Sequence, residues 1–407
     1  MIVYVQDING KSLMPTKRLG WVRRSLRDGK AIIVEKCPFV IRLTYVTTNY
    51  TQPITLGIDA GTIHIGLSAT SAKEELFAEE VVLRKDITDL ISSRREARNT
   101  RRNRLRYRKP RFFNRKKEDG WIAPSVRQRI DAHLKAIEDV HHILPITKII
   151  IEVAQFDTQK IKNPEISGEG YQQGEQLGFW NVREYVLARD SHKCQYCKGK
   201  SGDNILNVHH IESRKIGGDS PGNLITLCET CHKAYHRGEI HFKVKRTTSL
   251  RDAAVIGIMK WRLYDELKSR YLDVSMTFGY ITKYNRIRNN IKKSHISDAF
   301  TISKNLKAKM LSCYYLVRKT RRHNRQIHKS KIMKGGKKKM NQAPFEVKGF
   351  RLFDRVFYDG GIMFVTGRRS SGRFVIRDIN YKNQIELSYK KLNLNRCKRN
   401  MIQLLIK

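Results

Sequence analysis

Ile54-Thr55-Leu56-Gly57-Ile58-Asp59 is a buried-type strand that ends on an acid, and Ala60-Gly61 follows it directly. Residues 63–70 then alternate as a hairpin partner would. The pattern recurs at 148–156, where Glu152 follows an Ile-rich run. A third acid, Asp298, lies in His295-Ile296-Ser297-Asp298-Ala299, which starts a helix. Taken singly, each acid reads as an ordinary solvated end. The three are 93 and 146 residues apart in sequence, yet they converge if their strands lie side by side. Carboxylates gathered at strand ends can bridge two Mg²⁺ ions about 3.5–4 Å apart, which clamp the attacking and leaving oxygens of a phosphodiester.

Charge narrows the partners. The 407 residues carry 81 Lys and Arg against 38 Asp and Glu, a formal net charge of +43, and 40% are apolar. That length suggests roughly two to four domains, and that apolar content a globular chain. A monomer with such a field repels itself unless a polyanion neutralises it. No apolar run approaches the roughly 18 residues of a membrane helix, and residues 1–6 open a strand, not a signal peptide. Nucleic acid is the expected partner, a membrane is not, and the expected location is the cytoplasm.

Seven cysteines are present: Cys37, Cys194, Cys197, Cys228, Cys231, Cys313 and Cys397. Four form Cys194-Gln195-Tyr196-Cys197 and Cys228-Glu229-Thr230-Cys231, two pairs separated by 30 residues. Two such turns can present four thiolates tetrahedrally to one Zn²⁺. Chance turns or a redox pair are the plain alternatives, and the spacing favours structural zinc in a reducing compartment. Between the pairs lies Leu206-Asn207-Val208-His209-His210-Ile211, then a loop, then Asn223-Leu224 leading into Cys228. His232 follows the last cysteine, and His236 is one helical turn further on. Adjacent histidines in a strand face opposite ways, so one could hold a metal while the other activates water.

The remainder divides by composition. Residues 1–50 read as a small α+β unit: strand at 1–6, turn at Asn9-Gly10, a basic helical stretch at 17–30, and strand again over 31–45, interrupted by Pro38. Residues 91–117 hold 13 Arg or Lys and one acid, Glu96, with a helical pattern to about Tyr107. Arg94, Arg95, Arg98, Arg101, Arg102, Arg104, Arg106 and Arg108 would surround that helix with guanidinium groups. A merely solvated helix would alternate Glu with Arg to form i,i+4 pairs; forks this dense suit phosphates. Residues 157–176 are a polar, Gly-rich linker, and 251–268 and 295–312 are expected helices. No acid occurs from 299 to 345, and 318–339 is expected to order on RNA. Short alternating strands at 346–407, parted by Asp359-Gly360-Gly361, Ser370-Ser371-Gly372 and 380–383, fit a small β-barrel.

The cysteine pairs with Val208-His209-His210-Ile211, Asn223-Leu224 and Cys231-His232 resemble the HNH nuclease family. The resemblance implies His210 as the general base, Asn223 as orienting the water or helping hold metal, and His209 with His232 as ligands of one Mg²⁺. Many family members carry Asp where this chain has His209. Ile58-Asp59-Ala60-Gly61, Ile151-Glu152 and His295-Ile296-Ser297-Asp298-Ala299 together resemble the three RuvC motifs, which belong to an RNase H-like fold. That resemblance implies Asp59, Glu152 and Asp298 as ligands of two Mg²⁺, with His295 in acid/base or water-positioning chemistry.

The order of these parts resembles the IscB family of transposon-encoded, RNA-guided nucleases, related to the CRISPR effectors. Leu13-Met14-Pro15 is similar to that family's PLMP domain, with Ser12 in place of its first proline. The implied fold class is a multidomain α/β chain, a RuvC domain split in three by an Arg-rich bridge helix and a zinc-containing HNH insert. Its divisions are a PLMP-like domain at 1–50, RuvC segments at 51–90, 121–165 and 246–315, the bridge helix at 91–120, and HNH with linkers at 166–245. A basic RNA-binding linker at 316–345 precedes a barrel at 346–407 that contacts guide RNA and a target-adjacent motif. The implied partners are an omega-type guide RNA and double-stranded DNA, the protein being a monomer within a ribonucleoprotein. Base pairing would read the target while the protein reads shape. HNH would cut the guide-paired strand and RuvC the displaced one. A protein-only HNH/RuvC nuclease would not need the acid-free 299–345 stretch, and a guide-binding regulator with idle sites would not need the full set of catalytic residues.

Overall fold

The computed structural model describes residues 2–105, 120–153, 182–212, 221–241, 251–320, 344–395 and 401–406. The predicted linker at 157–176, most of 318–339, and Arg106 and Arg108 lie outside these, as do the side chains of Arg101, Arg102 and Arg104. The chain forms two compact units, one of Met1–Arg115, Ile122–Gln155 and Ile258–Lys407, the other of Lys116–Trp121 and Phe156–Gly257.

The first unit is organised by the strand that carries Asp59. Strands β4 (Thr55–Ala60), β5 (His64–Thr70) and β6 (Glu75–Val82) form an antiparallel meander whose Leu56, Ile58, Ile65 and Leu67 are fully buried. Strand β7 (Lys148–Val153) runs parallel beside β4, pairing Ile58 with Ile151, and β10 (Val274–Phe278) runs parallel beside β7. On the far edge β11 (Tyr314–Lys319) lies parallel to β6 and β17 (Met401–Ile406) antiparallel to β11. The sheet order is β10-β7-β4-β5-β6-β11-β17.

Three helices serve this sheet's site: α6 (Arg251–Arg270), α7 (Gly279–Arg288) and α8 (His295–Ile302). Two glycines seat α8. A Cβ on Gly57 would lie 2.0 Å from the Ala299 carbonyl oxygen, and one on Gly66 would lie 2.0 Å from that of His295. Only bare backbone lets the helix approach so closely. The Ser294 side chain caps α8 by accepting from Ser297 N–H at 3.0 Å. The helix is shorter than the predicted 295–312. Lys304 turns into the left-handed region at φ +65°, and Lys309 then exchanges backbone hydrogen bonds with Lys73 and Glu75 at 2.9 Å each. Helix α3 (Pro124–His141), which the sequence reading did not anticipate, buries Ile130, His133, Leu134, Ile137 and Val140; its Arg127 pairs with Glu266 of α6.

Near the N-terminus lies a three-stranded sheet, β1 (Tyr4–Gln6), β3 (Phe39–Leu43) and β2 (Ala31–Lys36), with α1 (Leu19–Arg27). Its core holds Val3, Val5, Leu13, Val22, Ile41 and Leu43. The Arg-rich helix α2 spans Ile87–Leu105, and Arg94, Arg95 and Arg98 are exposed on it. Strands β12 (Arg355–Tyr358), β13 (Gly361–Arg368), β14 (Arg373–Arg377), β15 (Ile385–Ser388) and β16 (Asn393–Leu394) make an antiparallel sheet of order β15-β14-β13-β12-β16 around Val356, Val365, Phe374 and Ile376. The last strand, expected within the 346–407 barrel, pairs instead with β11, where Ile402 is buried.

The second unit holds α4 (Val182–Arg189) and a ββα element. Strands β8 (Leu206–His210) and β9 (Leu224–Cys228) pair antiparallel and lead into α5 (Glu229–His236). Arg189 of α4 donates to the carbonyls of Pro221 at 2.7 Å and Leu224 at 2.9 Å.

Candidate active sites

In the second unit the four predicted cysteines close into one cluster, their Sγ atoms all within 4.8 Å of one another. A tetrahedral Zn²⁺ with Zn–S of about 2.3 Å sets S···S distances near about 3.8 Å; Cys197 Sγ and Cys228 Sγ are 3.8 Å apart. Ser201 Oγ, by its hydrogen bond, draws the Cys197 thiol down to about 6, toward the thiolate a metal requires. Burial pushes the Cys231 thiol up. The donor set fits zinc. Asp203 fastens this corner to α5 by accepting from Thr230 N at 2.8 Å and Thr230 Oγ1 at 2.9 Å.

Beyond the cysteine cluster, His209, His232 and His236 bring ring nitrogens within 4.8 Å of one another. His232 and His236 are four residues apart on α5, with Nε2 atoms 3.3 Å apart, and His209 reaches them from β8 with ring centroids 5.2 Å from each. Burial first, then the neighbouring His232 and His236, holds His209 at about 4; burial and His236 lower His232 as well. Both imidazoles are therefore neutral at pH 7, the form that ligates a divalent ion. His236 completes the trio, a placement the sequence signalled only by its i,i+4 spacing from His232. His210, next along β8, takes the opposite face, as strand alternation demands. Asn223 differs from expectation. It is fully buried, its Oδ1 accepts from Glu212 N at 2.9 Å and its Nδ2 donates to Glu212 O at 3.0 Å. With both ends of its amide so engaged, it clamps the loop after β8.

In the first unit Asp59, Glu152, His295 and Asp298 come together from β4, β7 and α8, and each carboxylate meets a different base. His295 Nδ1 lies 2.8 Å from Asp59 Oδ2. Lys260 Nζ of α6 donates to Glu152 Oε1 at 2.9 Å. Arg286 Nε of α7 is 2.9 Å from Asp298 Oδ1, an ion pair whose alignment falls short of a hydrogen bond. Burial, then the charge on Asp59, raises the Asp298 carboxyl, while Arg286 opposes the rise. The Asp59 bond raises His295. The three carboxylates feel one another, yet they do not form one of the tight metal-capable groups; each is engaged by its own base. Their hard oxygen donors and mutual repulsion suit divalent cations.

Several residues here were missed by sequence reading. His64 stacks on His295 at 4.9 Å with rings 6° from parallel, and its Nδ1 sits 2.7 Å from Glu80 Oε1. His64, Glu80 and His295 form the third metal-capable group among the described residues. Lys260 interrupts a stripe otherwise made of buried Met259, Leu263 and Leu267, and a lysine in that phase was the available signal.

Two family matches accord with this geometry: the family described as RRXRR protein matches residues 3–174, and that described as HNH endonuclease matches 194–238. The ββα element with its cysteine and histidine clusters thus defines a nuclease of the HNH class. With the RRXRR match ahead of it, the chain belongs to the IscB-like family of HNH nucleases. It is similar to anaredoxin of Nostoc sp. (strain PCC 7120), 30% identical over 66 residues, which is 16% of this chain and 84% of that protein. Among solved structures it is similar to Streptococcus thermophilus Cas9 in complex with the AGAA PAM, at TM-score 0.29 and 14% identity over 45% of this chain and 26% of that one. The complex with the GGAA PAM gives TM-score 0.28 and 17% identity over 53% and 30%. The chain spans about a quarter to a third of the Cas9 chains it matches. Among the described residues no helix is long and apolar enough to cross a membrane.

Proposed function

We propose that the chain is an RNA-guided endonuclease that cuts double-stranded DNA at two independent sites. The observation carrying this reading is the presence of two chemically different clusters on two separately compact units, a trio of histidines with converging ring nitrogens in one and three mutually interacting carboxylates in the other. The histidine centre would take the guide-paired strand and the carboxylate centre the displaced strand.

At the histidine centre His209, His232 and His236 would hold one Mg²⁺, and His210 would take the proton from the attacking water. Asn223 keeps the loop after His210 in place through Glu212. At the carboxylate centre Asp59, Glu152 and Asp298 would hold two Mg²⁺. His295, oriented by Asp59, would position water or move its proton. Divalent cations held there would supply Lewis-acid stabilisation of the charge that develops on the phosphate oxygens. The four cysteines would hold a structural Zn²⁺ that fixes β8, β9 and α5 relative to one another.

The RuvC reading of the first unit is supported by its mixed sheet with acids at adjacent strand ends and a helix seated on glycines. The Arg-rich α2, with Arg94, Arg95 and Arg98 exposed, fits a bridge helix gripping guide-RNA phosphates, and Arg101, Arg102, Arg104, Arg106 and Arg108 continue that role in sequence. The 346–395 sheet would contact guide RNA and the target-adjacent motif. The working form is one protein with one omega-type guide RNA, acting in the cytoplasm. Purified from cells with its RNA, the chain should carry a defined guide transcript and linearise a matching plasmid in Mg²⁺ but not in EDTA. Random co-purifying RNA, or a plasmid left intact in Mg²⁺, would overturn the reading.

A further inference from the structure

The solvent face of α7 has an unusual composition. Tyr280, Lys283, Tyr284, Ile287 and Arg288 are all exposed there, the two tyrosines at 57% and 62%. At 3.6 residues per turn these five cover a stripe about 140° wide. The other side of the helix belongs to the carboxylate centre. Thr282 is buried, Arg286 reaches Asp298, and the position of a Cβ on Gly279 lies 3.4 Å from Glu152 Oε1. No acid occurs between Asp273 and Asp298, whereas Lys283, Arg286, Arg288, Lys292 and Lys293 do. Phe278 extends the aromatic surface by stacking on Tyr280, with centroids 6.2 Å apart and rings 11° from parallel.

Exposed aromatic faces interleaved with cations recognise unstacked bases joined by phosphates. A duplex offers such a surface only edges and backbone, because its bases are already stacked on one another. The rise of about 6 Å between residues four apart leaves room for a base against each tyrosine ring. We propose that this face of α7 is a platform for single-stranded DNA. Bases of the strand entering the carboxylate centre stack on Tyr280 and Tyr284, while Lys283 and Arg288 hold its phosphates. The platform rests on reading that centre as a DNA-cutting one.

The test uses the full chain and an oligodeoxynucleotide carrying 5-iododeoxyuridine, photo-crosslinked in EDTA, with the crosslinked peptides mapped by mass spectrometry. Crosslinks are expected on the peptide containing 279–288. They should fall about ten-fold in the Tyr280→Ala/Tyr284→Ala variant and persist in Tyr280→Phe/Tyr284→Phe, since stacking needs the ring and not the hydroxyl. In Mg²⁺ the alanine variant should raise KM for the displaced strand with kcat little changed, where a misfolded variant would lose kcat. Both side chains are largely exposed, so thermal melting should be unaltered. The proposal is overturned if crosslinks map elsewhere and the alanine variant binds like its parent. It is equally overturned if the duplex or an RNA of the same sequence crosslinks to α7 more strongly. Crosslinking at α7 without DNA cleavage in Mg²⁺ would leave the platform standing and remove the cleavage reading, and cleavage without α7 crosslinks would do the reverse.

Discussion

Asp59 and His295 are 236 residues apart in sequence, yet Oδ2 of one lies 2.8 Å from Nδ1 of the other. An ionised carboxylate only accepts, so Nδ1 carries the proton and Nε2 is left as the basic nitrogen. The contact depends on Gly66 of β5, where a Cβ would strike the His295 carbonyl oxygen at 2.0 Å. Backbone cannot give way as a flexible side chain can. Gly66→Ala should lift the start of α8, cost about 1–3 kcal/mol by overpacking, and reduce displaced-strand cleavage at least ten-fold. Zinc content should be unchanged. Urea melts and a strand-resolved cleavage assay check this together.

Lys260 and Glu152 form a pair whose side chains are only 9% and 16% exposed. Removing one member of such a pair strands the other, at about 3–5 kcal/mol. In EDTA, Lys260→Met should lower stability by about 3 kcal/mol. Mg²⁺ should raise the Tm of this variant more than that of its parent, because a bound cation then compensates Glu152. The double variant Lys260→Met/Glu152→Gln should recover most of the loss. Equal melting of single variant and parent in EDTA would mean the pair contributes nothing.

His133 is fully buried on α3, and burial holds its imidazole at about 4 from an ordinary 6.5. Its Nδ1 donates to the Arg129 carbonyl at 2.7 Å, so protonation would have to fall on the buried Nε2. Between pH 6.5 and 4 the unfolded chain binds a proton that the folded chain refuses, so stability rises with pH across that window. This one group should remove about 3 kcal/mol as pH falls from 6.5 to 4. His133→Leu should show a correspondingly shallower acid loss in urea melts at pH 7, 5.5 and 4.5. Parallel curves for the two proteins would exclude the assignment.

The zinc cluster should be structural and confined to its own unit. Cys194→Ser or Cys228→Ser should lower bound zinc and guide-paired-strand cutting while displaced-strand cutting stays detectable. Elemental analysis alongside cleavage decides it; unchanged zinc in both variants would show that the thiolates hold none.

How much of this was legible in the sequence differs by residue. Asp59 and Glu152 were readable because an acid ending an apolar strand breaks the burial pattern at a defined place, and their strands are indeed neighbours, with β4 beside β7. Cys194, Cys197, Cys228 and Cys231 were readable because tetrahedral ligation imposes spacing on sequence. Lys260 left one trace, a lysine in the phase of a buried apolar stripe, whereas Arg286 and His64 act through tertiary contacts that leave no periodic trace. The end of α8 was misjudged because residues 303–312 are helix-compatible, and what stops the helix is pairing with 73–75, a tertiary fact. Asn223 had the right motif, but a motif carries no information about which atoms its amide meets. The last strand left the C-terminal sheet because β11 offered it an edge, and edge choice is likewise tertiary.

The central claim is that two independent centres cut one strand each. It is tested most directly with a plasmid labelled separately on each strand, guide RNA and Mg²⁺. Asp59→Ala should nick only the guide-paired strand, His210→Ala only the displaced strand, and the double variant should bind target and cut neither. Loss of cleavage on both strands in either single variant, with target binding intact, would contradict the account and require one shared or obligatorily coupled centre.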